Sequence, residues 1–191
     1  MNTSTFSFGS VLNGRGLFET RELVTIGLFS AAAKASSLML ALAGGGMNPV
    51  TLILKSAVHS ALLVVLLAKV PKTGTLTLAN LVGMLLSFLL MGQHIISLPA
   101  VLLGTILVEA AVRLAGGLSK RPRLAVPMLA ASELLVRAAN VLVSYLTVRE
   151  QPGLIVMVIA VSAASYVGIL LGLAGGVRMA GELRHAGLIQ D

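Results

Sequence analysis

"GLFSAAAKASSLMLALAGGG" (residues 27–46) holds a single charged side chain, Lys34, near the middle of a run of small and apolar residues. Roughly 20 residues of α-helix rise about 30 Å, the thickness of a bilayer's hydrocarbon core. The stretch therefore reads as a membrane span carrying an ammonium group at depth. The rest of the chain has the same character. Its 191 residues are 57% hydrophobic and only 11% charged, with a mean hydropathy of +0.97, which leaves too little polar surface for a soluble domain.

Working outward, six such stretches fall at about 22–43, 48–68, 74–92, 96–116, 125–147 and 154–177. The separators "GGGMNP", "KVPKTG", "GQHIIS", "GGLSKRPRLAVP" and "REQPG" carry the Gly, Pro and charge that end helices. The expected fold is all-α, an integral membrane bundle of six transmembrane helices, with a tail at 1–21, a membrane domain at 22–177 and a second tail at 178–191. The first span is too long for a cleavable signal, and Arg15, Glu19, Arg21 and Glu22 precede it. Arg15, Arg21, Lys69, Lys72, Lys120, Arg121, Arg123, Arg178 and Arg184 flank one side of these spans, whereas Arg149 stands alone on the other. Lys and Arg accumulate on the cytoplasmic side, so both termini are expected inside, in the inner membrane of a prokaryote. The net charge of +7 then reflects topology, and no nucleic-acid partner is implied.

Several classes drop out. Without cysteine there is no thiolate chemistry. The motifs G-x-x-x-x-G-K-[ST], H-E-x-x-H and G-x-S-x-G are absent, and no extramembrane segment offers the support of an ATPase. No enzymatic activity is expected. His59, His94 and His185 lack metal-ligand spacing, so no metal site is expected either.

Six ionisable residues fall inside the spans: Lys34, Lys55, Glu109, Arg113, Glu133 and Arg137. Each costs about 2.5 kcal/mol or more in hydrocarbon, so each calls for a partner, a wet cavity or a route to the surface. If the fourth and fifth helices are antiparallel neighbours, Glu109 reaches toward Arg137 and Glu133 toward Arg113. That cluster reads either as a structural clamp or as a substrate- or proton-handling group. Glu133, Arg137, Asn140 and Ser144 also form a polar stripe on one helix face. Lys34 and Lys55 have no obvious acidic partners. Lys55 either snorkels or faces inward with His59, whereas Lys34 lies too deep to snorkel comfortably. The surplus positive charge points to an anionic ligand, a carboxylate or phosphate. The candidate binding set is Lys34, Lys55, His59, Asn80, Gln93, His94, Arg137 and Asn140, with His94 readable equally as an interfacial loop residue. No intrinsic cofactor is expected. A haem carried as substrate, with one His on iron and Lys and Arg on the propionates, is compatible with this set.

Gly27, Ala31 and Ala35 recur every four residues and form a shallow groove that a partner helix can approach. A chain of this length with six helices, no ATPase and this Ala-xxx-Ala pattern resembles the substrate-binding S components of energy-coupling-factor (ECF) transporters. Within them, "LLAKVPKTGTLTLANLVGMLLSFLLMGQ" (66–93) is similar to a stretch of the Trep_Strep, or MptE-like, group. The resemblance implies capture of a scarce vitamin, cofactor precursor or similar micronutrient. It also implies docking through Ala31 and Ala35 (Ala32 and Ser36 offer another register) on a membrane T component driven by two ATPases. Lys34 departs from a smooth docking face unless it points into the bundle. Two rival functions are a stand-alone proton-coupled transporter using Glu109 or Glu133, and a membrane scaffold that transports nothing.

Overall fold

The computed structural model describes residues 18–44, 48–91, 98–114, 125–147 and 152–187. Among them are six helices: α1 (Thr20–Gly44), α2 (Pro49–Lys69), α3 (Thr75–Met91), α4 (Leu98–Leu114), α5 (Ala125–Thr147) and α6 (Pro152–His185). Four of these, α1, α2, α5 and α6, are long and apolar enough to cross a bilayer by length and composition. At 17 residues each, α3 and α4 sit at the lower limit for a span. The residue distribution is that of an integral membrane protein. Large apolar side chains such as Leu28, Leu42, Leu89 and Leu114 face outward, while Ser30, Ser60, Thr105, Glu109 and Ser132 are buried.

Local chemistry sets the helix ends. Asn48 caps α2, its side chain accepting from Val50 N at 3.1 Å, and Pro49 occupies the first turn, where its missing N–H costs nothing. Lys69 ends α2 two residues before Pro71. Gly74, at a φ of 99°, then turns the chain into α3. A side chain at Gly74 would also press on the Phe18 ring, 3.3 Å from an added Cβ. Glu22 in the first turn of α1 pairs with Lys72 at 2.7 Å, tying the start of α1 to the α2–α3 connection.

The helices form a closed ring in the order α1, α2, α6, α5, α4, α3 and back to α1. The α2–α6 seam is the most extensive contact. Gly168, Gly172 and Gly176 lie on one face of α6, spaced every four residues, and meet the α2 backbone directly. Added Cβ atoms at Gly168 and Gly172 would strike the carbonyl oxygens of Ile53 and Ala57, and one at Gly176 would lie 2.9 Å from Ala61 Cα. Ser60 Oγ donates across the same seam to Ile169 O at 3.1 Å. Small residues let the two backbones approach closely enough for packing and hydrogen bonding to replace the hydrophobic effect, which lipid does not supply. Elsewhere in the ring Ser30 Oγ donates to Ala79 O, 3.2 Å, joining α1 to α3.

The expected spans match α1 to α5 within two residues, but α6 continues to His185, past the expected end at 177. At the Gly175–Gly176 pair the helix continues, with Gly176 seated on α2. The turn comes later, at Gly187, whose φ is 70°. The apolar core gathers where α2 meets α3: Ile26, Leu66, Leu67, Val70, Leu76, Val108, Leu129 and Leu173 pack together there. That end of the bundle is filled.

Gly172→Ala should destabilise the protein by about 1–3 kcal/mol, because backbone rather than a mobile side chain stands in the way. Gly175→Ala, with nothing within 4 Å of the added Cβ, should be neutral or slightly stabilising through helix propensity. Thermal unfolding of the two variants in the same detergent checks the difference.

Candidate functional site

Above the packed end, the ring encloses a cavity of about 750 Å³, within the size range of small-molecule sites. Its floor is formed by Leu63, Leu66, Ala79 and Ser132, and its walls reach Phe88 and Val101, within a turn of the end where α1 meets α2. Phe29, Leu62, Met84 and Phe88 give it a largely apolar lining. Besides several Ser and Thr hydroxyls, the polar lining consists of Lys34, Lys55, His59, Asn80, Glu133, Arg137 and Asn140.

Six of the eight residues expected to bind ligand, namely Lys34, Lys55, His59, Asn80, Arg137 and Asn140, therefore line one cavity. Gln93 and His94 lie outside the described residues. Lys34 turns away from the small-residue stripe of its own helix. Its Cε would lie 3.1 Å from a Cβ added at Gly83, so that glycine of α3 makes room for the lysine stem. Lys55 faces the cavity rather than lipid, with His59 one turn along the same helix.

These charges act on one another. Lys34 is within coulombic reach of Glu133 and Lys55, His59 of Lys34 and Arg137, and Glu133 of Arg137 and Lys34. At about 1.5 Å per residue, Lys34, His59 and Arg137 all lie about 15 Å from the α1–α2 end of the bundle, with Lys55 about 9 Å from it. Lys34 and Arg137 thus converge on one level from α1 and α5, with Lys55 of α2 about 6 Å nearer that end. Arg137 Nε is buried without a hydrogen-bond partner, an expensive condition for a guanidinium N–H unless a ligand or water completes it. Arg presents Nε and Nη as a planar fork that fits the paired oxygens of a carboxylate or phosphate.

The expected clamp between α4 and α5 does not form. Glu109, 5% exposed, instead accepts hydrogen bonds from Leu76 N at 2.8 Å, Thr77 N at 3.3 Å and Thr77 Oγ1 at 2.7 Å. It caps the first turn of α3, where unpaired N–H groups and the helix dipole favour a carboxylate. With Glu109 occupied there, Glu133 faces the cavity beside Arg137, and Arg113 is exposed in the last turn of α4. Sequence reasoning paired the four charges by depth alone. The backbone N–H groups of α3 outcompete Arg137 for Glu109, and no charge pattern announces them.

The stripe on α1 faces away from the cavity. Ala31 and Ala35 are exposed, and Gly27 is half-buried with nothing within 4 Å of an added Cβ. Ala32 of the alternative register is also exposed.

Glu109→Gln should cost about 1 kcal/mol of stability, since the neutral amide gives up the negative charge that the first turn of α3 favours. It should leave ligand retention by the folded protein unchanged, because Glu109 is absent from the cavity lining. Unfolding temperature and retained small molecule, measured on one preparation, separate the two effects.

No curated protein and no solved structure matches this chain. Residues 20–136, more than half of its length, match the family Trep_Strep, described as hypothetical bacterial integral membrane protein, and the chain belongs to that family.

Proposed function

We propose that this chain is the substrate-capture (S) component of an ECF-type importer that takes up a scarce anionic micronutrient. The observation that carries the proposal is the set of three cations, Lys34, Lys55 and Arg137, that line a cavity in which Arg137 Nε has no partner. A surplus of buried positive charge is costly in a membrane. It is offset when an anion arrives, and the apolar walls hold the rest of the molecule. Vitamins, cofactor precursors and haem-like tetrapyrroles that bear carboxylate or phosphate all suit this chemistry, and His59 adds a ligand for a haem iron. In this scheme both termini lie in the cytoplasm and the α1–α2 end faces outward. The cavity then loads from outside while the packed α2–α3 end blocks leakage. The exposed Ala31 and Ala35 suit docking on a T component. ATP hydrolysis belongs to the two partner ATPases, and the chain itself is no enzyme and needs no cofactor of its own.

Co-expression with a T component and its ATPases tests the division of labour. Ala31→Leu and Ala35→Leu should lose co-purification with the module while keeping the cavity intact. Lys34→Ala and Arg137→Ala should assemble normally. Normal assembly and uptake in Ala31→Leu would remove the docking role.

Glu133 in the cavity also favours a second reading, a proton-coupled transporter working alone. The two separate cleanly in cells. ATP-driven uptake continues when the proton gradient is collapsed and stops when the ATPases are deleted, and a proton-coupled carrier shows the reverse.

A further inference from the structure

Glu133 gives the cavity a second chemical pole. Among the described residues no hydrogen bond or ion pair holds its carboxylate, yet it lines the same space as Arg137 and Lys34. On α5 it lies one turn from Arg137, about 6 Å further toward the packed floor. Asn80 and Ser132 line the cavity with it. A ligand bearing only negative charge would meet the three cations well but would bring its inner end against a carboxylate. In a medium of low dielectric that repulsion is poorly screened. Conversely, an N–H donor placed at Glu133 would gain a charge-assisted hydrogen bond.

We infer that the ligand is amphoteric, with a carboxylate or phosphate held by Arg137, Lys34 and Lys55 and an amine or other N–H donor held by Glu133. Resting on the anion-capture reading above, it adds a class of substrate and a residue that selects it. The carbon body meets the apolar lining of the same cavity, where Phe29 and Leu62 lie near the depth of the two poles. Glu133 thereby discriminates amphoteric molecules from plain fatty or aromatic acids of the same size. Such selection matters in a membrane, where amphipathic acids are abundant competitors for an apolar, cationic cavity.

A matched pair of probes tests this: hexylphosphonate and 6-aminohexylphosphonate, which share the anion and the chain and differ in one terminal ammonium. Binding to the full chain in detergent micelles is measured by calorimetry. Wild-type protein should prefer the amino probe by about tenfold. Glu133→Gln should erase that preference by weakening the amino probe while holding or improving hexylphosphonate, and Glu133→Asp should keep part of it. Unfolding temperatures without probe identify a variant that has merely lost its fold, in which case Glu133→Asp decides. An unchanged ratio in a folded Glu133 variant, or a wild-type preference for hexylphosphonate, overturns the inference. If Arg137→Ala loses both probes while the Glu133 variants keep the wild-type ratio, anion capture stands and only the amphoteric ligand falls. If Arg137→Ala retains both probes, or wild type binds neither, both fall together.

Discussion

The contact on which the rest of this structure depends is the glycine seam between α2 and α6. Gly168, Gly172 and Gly176 accept Ile53, Ala57, Ala61 and Val64 at backbone distance, which fixes the rotation of α2 about its own axis. On a helix of 3.6 residues per turn, Lys55 and His59 then lie about 160° away from Ala57, on the far side of α2. That side faces the cavity. Had α2 packed through larger residues at a different angle, Lys55 would have met lipid and His59 a helix wall. A seam without any charge thus decides where two of the charges go.

The cost of charge in hydrocarbon explains the remaining arrangement. Of the six ionisable groups within the expected spans, four line the cavity, Glu109 is satisfied by the start of α3, and Arg113 is exposed in the last turn of α4. Each solution is local, and together they divide the bundle by length. One end is closed by the core around Leu66, Leu76 and Leu129. The other half is left hollow, cationic and lined with apolar walls.

Much of this was legible in the sequence, because membrane helices are written in long apolar runs and their buried charges stand out against them. Lys34 could be assigned to an interior on cost alone and Arg137 and Asn140 through their polar stripe, whereas Lys55, with His59 one turn along, stands in the sequence between snorkelling and the interior. What was not legible depends on neighbours. Glu109 and Glu133 look alike in "EAAVR" and "ELLVR", yet the first is taken by backbone N–H groups from another helix and the second is not. The Gly-xxx-Gly-xxx-Gly run of α6 is present in the sequence, but glycine signals both close packing and helix ends, so the run alone does not identify α2 as its partner. Gly83, which admits the Lys34 stem, carries no sequence signal at all.

Under the proposed function, Arg137 and Lys34 hold an anion in the cavity. Mass spectrometry of the small molecule retained by the purified protein is the decisive measurement, with an optical spectrum to reveal a haem. Wild-type protein should retain a molecule bearing a carboxylate or phosphate, and folded Arg137→Ala and Lys34→Ala should lack it. A retained molecule without an anionic group, or equal retention by the two variants, would contradict anion capture.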